Sequence, residues 1–594
     1  MTIYEMLRRS VREHGSRKAF RWRERGHDRS MSYDETWERV REVRRGLAVL
    51  GIGLGDRVAI LSENRIEWAI CELAALCMGA ITVPIYPTLP ASQAEHLIRD
   101  SGARLLFVSD PRQLAKAASF AAELSGLETI VLMDNHASND ALTLADVVER
   151  GRTAAVDESA LDRQAESVSE DEVATLIYTS GTTGEPKGAM LSHRALLHTG
   201  HAVRQFVDIG PGDVFLSFLP LSHVIERVCG YYLPLLSGAT IVYSQGVFAL
   251  ASEFAQVHPT VFLCVPRVYE AMQERLQEHI ARLPNRQRRL VNWALEASRQ
   301  WSAARHRGRA GAMATLRRAV ADRLVVRRIR ERVLGARVRF LVSGGAPLSM
   351  ATIDGFDRLG IHVLEGYGLT EIPVISFNRP GRMVPGSVGE PLPGIEVKLA
   401  DDGEILARGP SLMKGYFGKP RDTADAIDSE GWFHTGDVGE HVTDGILRIT
   451  DRKKDIIVLS NGKNVAPQAV ERRLKESPYI AEAVLVGDRQ STLSAILVPE
   501  FDRLEEWARE RNVAHADASG AAELLAAPEV RRLFHDEVER VSANLADFER
   551  VRRFALAPQP FTVDGGELTP TLKVRRRYVI DKYAALLESP DQPT

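Results

Sequence analysis

The sequence predicts an α/β fold: a large N-terminal domain of layered sheets and helices, followed by a small α+β module. Three observations carry this reading. Up to about residue 110 the chain alternates strand and helix patterns, which argues a parallel sheet with covering helices. Two later apolar runs, Val173–Thr179 and the stretch from Phe340, each lead into a glycine-bearing turn. Composition then changes near residue 451, and 594 residues exceed what one ordinary core holds.

Taken in order, Tyr33 to Leu50 has helical spacing and stops at Gly51, and Asp56–Leu61 reads as a strand. Trp68 to Met78 is an apolar helix and Ala80–Ile85 a second strand. Residues 134–170 are polar and acidic, as surface structure is. Residues 281–339 are rich in arginine, with apolar residues Leu290, Trp293, Ala294 and Trp301 at helical spacing. Two readings stand there: a solvated helical hairpin packed on the body, or a basic surface for peripheral contact with anionic lipid. After Asp451 a small module follows, with a helix at Pro467–Glu476 and strands at Ala483–Gly487 and Ser494–Val498.

The balance of the whole chain excludes some classes. With 44% hydrophobic residues, 26% charged residues and a net charge of −3, it reads as globular, with no general attraction to nucleic acid. Cys71, Cys77, Cys229 and Cys264 lack CxxC spacing and read as thiols in a reducing compartment. The N-terminus has no apolar signal core, and no apolar run is long enough to cross a bilayer. The expected location is cytoplasmic, with contact at the inner face of the cell membrane left open. Oligomeric state is silent.

The chemistry concentrates in Tyr178-Thr-Ser-Gly-Thr-Thr-Gly-Glu-Pro-Lys-Gly188. Gly181, Gly184 and Gly188 let the backbone fold closely round a ligand. The hydroxyls of Thr179, Ser180, Thr182 and Thr183 and the cation of Lys187 then converge on an anion. It is a phosphate-binding loop, though not the usual P-loop, because no Gly-Lys-Ser/Thr closes it. Ser192 follows as an N-cap, with a helix from His193. Further on, Pro220 ends the strand pattern of Val214–Leu219 and leaves His223 in a turn. Gly344 and Gly345 allow the close backbone approach that a flat ring needs.

The whole string 178–188 resembles the phosphate loop of the acyl-adenylate-forming superfamily. The other motifs of that superfamily occur in order: Phe340–Pro347, Leu364–Glu371, Asp428–Asp437, Thr450–Ile457 and Gly565–Arg575. The run from Gly431 through Asn461–Pro467 is similar to the signature of the long-chain fatty acyl-CoA synthetases. The resemblance implies ATP-dependent activation of a long-chain fatty acid to acyl-AMP, then transfer to CoA. Alternatives within the superfamily are a carrier-protein acceptor, or medium-chain or aryl acids.

The resemblance also implies roles. The loop residues Thr179 to Gly184, with Lys187, bind the phosphates of ATP, as does Thr370. Gly344, Gly345, Ala346, Glu365, Gly366, Tyr367 and Gly368 surround the adenine, Tyr367 stacking on it. Glu371 and Thr179 hold Mg²⁺, Asp437 and Arg452 contact the ribose, and His223 lines the acyl pocket as hydrogen-bond donor or movable wall. Lys573 bridges substrate carboxylate and α-phosphate. The catalytic set is thus Lys573, Glu371, Thr179 and His223. The implied domains are 1–450, a hinge at 451–454 centred on Lys454, and a mobile C-terminal domain at 455–594.

Overall fold

In the computed structural model, the alternating N-terminal patterns form one side of a seven-stranded sheet. The structure describes every residue except 135–140, 180–185, 307–310, 444, 454, 461–462, 512, 514–520, 544, 570–572 and 589–594. The sheet runs in the order Leu142–Thr143, Thr129–Leu132, Leu105–Val108, Arg57–Leu61, Ile81–Ile85, Val173–Thr179, Lys187–Ser192. All neighbours are parallel except the last two, which pair antiparallel with Thr179 opposite Lys187. The expected helices form at Tyr33–Val49, capped by Ser32 with Glu35 as a capping box, and at Ile66–Leu76. Sequence reading did not foresee the strand Lys187–Ser192. It is short and holds Gly188, so its pattern is too brief to register and pairing alone fixes it. Beyond it Ser192 accepts the Ala195 N–H and starts the helix His193–Phe206.

A nine-stranded sheet makes the second layer. Its central strands are Val363–Tyr367, Phe340–Gly344, Val261–Cys264, Val214–Ser217 and Thr240–Tyr243, all parallel to one another. The Arg-rich segment is helical: Asn285–His306, then Ala312–Ala321 continuing through the π-helix Asp322–Val326 into Arg327–Leu334. Val291, Ala294 and Ala297 pack against Ala321, Val325 and Val326 in a small core of their own. Leu290, grouped with Ala294 by spacing, is instead 49% exposed.

By density of contacts the chain divides into two units. The first holds residues 1–398, 406–434 and 441–447; the second holds 399–405, 435–440 and 448–594. The second unit has a three-stranded sheet, Ile480–Val486, Leu493–Pro499 and Val551–Leu556. Side chains on a strand alternate between faces. Leu485 and Leu497 accordingly join Val470 and Phe534 in one core, while Val484 and Ile496 join Val579 and Tyr583 in another.

The π-helix Glu226–Tyr232 ties the two large sheets together. Arg227, fully buried, donates to Thr175 at 2.8 Å, to Thr82 at 3.1 Å and to Glu72 at 2.5 Å. Glu72 also accepts the Tyr232 hydroxyl. The next residue back, Glu226, accepts from Ser217 at 2.6 Å on the nine-stranded sheet. Neighbouring side chains therefore grip different sheets.

Removing one partner of a buried ion pair strands the other charge. Glu72→Gln should cost about 3–5 kcal/mol in denaturant unfolding. Burial pushes the Glu226 carboxyl up to about 8. A carboxyl raised in the folded chain favours folding fully below its unfolded pKa, and that contribution is lost as pH rises through the folded value. Glu226→Gln should remove a stability slope of about 1.4 kcal/mol per pH unit between roughly pH 5 and 8. Unfolding of variant and wild type across that range reads the difference.

Candidate active site

Two elements of the first unit flank the stretch expected to bind phosphate. Ser180, Gly181, Thr182, Thr183 and Gly184 lie outside the described residues. Thr179 ends one strand and donates to the carbonyl of Lys187, 3.5 Å away at the start of the next. Residues 413–417 run beside that second strand. Met190 N–H reaches Gly415 O at 2.9 Å, and Phe417 N–H reaches Gly188 O at 2.8 Å. This pairing delivers Tyr416 and Asp422 to the loop. The Lys187 ammonium pairs with the Asp422 carboxylate and sits 5.4 Å from the Tyr416 ring centre. The hydrogen bond from Lys187 holds the Asp422 carboxyl below its usual range.

Tyr416 joins the loop cation to the expected metal-binding carboxylate. Its hydroxyl donates to Glu371 Oε1 at 2.7 Å, and Glu371 itself is buried. Burial first, and the Glu371 charge second, raise the Tyr416 phenol far above its usual value, so it stays a donor at any working pH. The Glu371 carbonyl accepts the Met413 N–H at 2.7 Å. Sequence reading passed over Tyr416 and Asp422. The only signal was an aromatic pair between glycines, Gly415-Tyr-Phe-Gly418, too short to name a role.

Glu371 and Thr179 offer hard oxygen donors of the kind Mg²⁺ takes. Among the described residues no group of three or more His, Cys, Asp or Glu is arranged to hold a metal. A two-residue donor set suits Mg²⁺, which commonly keeps substrate phosphates and waters as its other ligands.

The expected adenine-binding stretches lie side by side. Strands Phe340–Gly344 and Val363–Tyr367 pair in parallel, with Ser343 opposite Glu365 and Gly344 opposite Gly366. Gly345 takes φ +84°, a left-handed conformation that turns the chain before Ala346. A Cβ at Gly368 would stand 2.1 Å from the Pro373 carbonyl, so no other residue fits there. Thr370 lies in the tight turn that the Leu369 N–H closes on Ile372 O at 3.0 Å. Glu365 is buried and accepts the Leu348 N–H at 3.3 Å, while Tyr367 is buried beside its antiparallel neighbour Ser376.

A small apolar cavity of about 30 Å³ lies against the same strand. Its wall includes Val207, Phe215, Ile225, Cys229, Gly366 and Phe377, and among the described residues no charged side chain lines it. His223 stands two residues from the wall. Its Nδ1 accepts the Ile225 N–H at 3.2 Å, which leaves Nε2 to carry the proton of the neutral ring.

Asp437, Arg452 and Lys573 belong to the second unit. Arg452 Nε donates to Asp437 Oδ1 at 2.9 Å, and Asp437 is buried. The turn before Asp437 is fixed by Gly436 N–H on Glu404 Oε1 at 2.9 Å and Thr435 on Ile405 O at 2.7 Å. Lys573 is exposed; its carbonyl accepts the Thr569 N–H at 2.8 Å and its N–H donates to the Thr569 hydroxyl oxygen at 3.0 Å. Lys454 lies outside the described residues.

Comparison with known proteins agrees over both units. Residues 7–417 match the model of the AMP-binding enzyme family, and residues 454–590 match that of the AMP-binding enzyme C-terminal domain. The chain is 36% identical to the long-chain-fatty-acid–CoA ligase FadD15 of Mycobacterium bovis over 561 residues, 93% of this chain and 91% of that protein. It is 33% identical to the peroxisomal long chain acyl-CoA synthetase 7 of Arabidopsis thaliana over 574 residues, 92% and 79% of the two chains. Among solved structures, the adenylation domain of a carboxylate reductase from Mycobacterium chelonae superposes with a TM-score of 0.78 at 25% identity, covering 99% of this chain and 91% of that one. The anthranilate CoA ligase AuaEII, solved with anthranoyl-AMP, shares the fold at a TM-score of 0.75 and 21% identity, with 99% and 98% covered. On the match across residues 7–417 and the identity along nearly the whole chain, this protein belongs to the AMP-binding enzyme family.

Proposed function

We propose that the chain converts a long-chain fatty acid and ATP to acyl-AMP and pyrophosphate, then passes the acyl group to CoA, giving fatty acyl-CoA and AMP. The observation that carries this is the 36% identity over 93% of the chain to a long-chain-fatty-acid–CoA ligase, and the apolar lining bounded by Gly366, one residue before Tyr367, agrees with it. A wall without charges suits an alkyl chain, and its contact with the nucleotide motif suits a carboxylate presented to the α-phosphate. The names of the relatives point the same way.

The chemistry needs activation because a carboxylate is anionic and would have to expel oxide. Adenylation makes that oxygen part of a good leaving group, AMP. In this reading Tyr367 and the 344–346 turn hold the base, and Asp437 with Arg452 holds the ribose. Lys187 exchanges Asp422 for phosphate, and Lys573 steadies charge that builds between carboxylate and α-phosphate. Mg²⁺, when bound, would offset repulsion among the phosphates. His223 borders the acyl entrance. The CoA thiol then attacks the acyl-adenylate carbonyl, and AMP leaves. Lys573 would obstruct this second step, so the C-terminal domain pivots at Lys454 between the two. A long-chain acid also partitions into bilayers, so the reading brings a membrane contact with it.

The decisive assay is AMP release with ATP, Mg²⁺ and CoA across straight-chain acids from short to very long. A CoA-dependent maximum at long chains is expected; pyrophosphate release without thioester would reassign the acceptor. Lys573→Ala should depress adenylation at least about 100-fold while sparing conversion of supplied acyl-adenylate, and Lys454→Pro should do the reverse. Equal loss of both half-reactions in either variant contradicts the pivot. Tyr416→Phe removes the donor on Glu371 and should lower kcat about tenfold, with a shifted Mg²⁺ requirement and an unchanged preference for chain length.

A further inference from the structure

We propose that the Arg-rich hairpin docks this protein on anionic bilayers through the face bearing Met313, Leu316, Val320 and Leu324. These side chains are 77%, 60%, 44% and 52% exposed. Their spacing of three, four and four residues puts them on one side of the continuous helical rod from Ala312 to Leu334. The other side of that rod is already satisfied, because Ala321, Val325 and Val326 pack on the preceding helix. The outer stripe therefore adds nothing to the hairpin's own core. Contiguous exposed apolar side chains of this size mark an interaction surface.

The charge around the stripe identifies the partner. Residues 281–339 contain seventeen arginines against three acids, Glu296, Asp322 and Glu331, in a chain whose net charge is −3. Positive charge is thus concentrated here, and the remainder of the chain is acidic. Arg317, Arg323, Arg327 and Arg328 are exposed beside the four apolar residues. An apolar stripe edged by arginine is the pattern of a helix lying in the plane of a membrane interface, apolar side down, guanidinium groups on the headgroup phosphates. A second copy of the chain would bring the same dense positive charge against itself. A nucleic acid backbone would leave Met313, Leu316, Val320 and Leu324 unused. The proposal takes from the fatty-acid reading only the purpose of the contact.

The test is co-sedimentation of the full chain with phosphatidylcholine vesicles, with and without phosphatidylglycerol. Leu316→Glu/Leu324→Glu and Arg323→Glu/Arg328→Glu are compared with wild type. Both pairs of positions are exposed, and circular dichroism with thermal unfolding checks that the variants fold. Wild type should bind the anionic vesicles and release with added salt, and each double variant should bind at least about tenfold more weakly. Wild type remaining in the supernatant, or variants binding as wild type does, overturns the proposal. So does a light-scattering dimer that the leucine substitutions dissociate, since the stripe would then belong to a second copy. Binding is scored without turnover, so loss of the fatty-acid reading leaves this result standing.

Discussion

The neighbouring residues Glu226 and Arg227 set the geometry on which the rest of the first unit depends. Arg227 is wholly buried and reaches two strands of the seven-stranded sheet, through Thr82 and Thr175, as well as Glu72. A guanidinium in such a place is tolerable only when its donors meet a counter-charge and oriented oxygens. Thr175 lies four residues before Thr179, on the strand that delivers the phosphate-binding loop. Glu226, gripping Ser217, fixes the same π-helix to the other sheet, and Ile225 and Cys229 of that stretch line the apolar cavity. Loop and cavity are thereby held in one frame. Asn64 supports the His223 turn from the first sheet as well, donating to Leu219 O at 2.6 Å and accepting the Leu221 N–H at 2.8 Å.

The charges at Lys187 and Glu371 are partnered rather than left bare. Lys187 rests on Asp422 and on the Tyr416 ring, and Glu371 receives the Tyr416 hydroxyl. One aromatic side chain thus serves a cation with its face and an anion with its hydroxyl, keeping both in position. The Lys187 ammonium is thereby neutralised by a carboxylate in the structure as it stands.

The Arg-rich hairpin stands apart from this economy of buried pairs. It has its own small alanine- and valine-lined core, and its arginines outnumber nearby acids so far that they cannot all be paired locally.

The sequence by itself determined several of the parallel strands, the helix at Tyr33 and that at His193, and the family. Apolar runs and helical patterns, the Ser192 cap and the glycine-bearing motifs are local signals, and each survives in a single window of residues. Val173–Thr179 could be read to the residue for that reason. What tertiary structure decided is long-range: that Lys187–Ser192 becomes a strand, that Tyr416 and Asp422 reach the loop from more than two hundred residues away, and that Arg227 selects Glu72. Leu290 turned outward although its spacing matched Ala294, because helical periodicity gives a face to within a residue and only the packed neighbour chooses which face is inside. Side chains that meet across a fold leave no pattern along the chain, so the partners of the site's charges appeared only once the sheets were assembled.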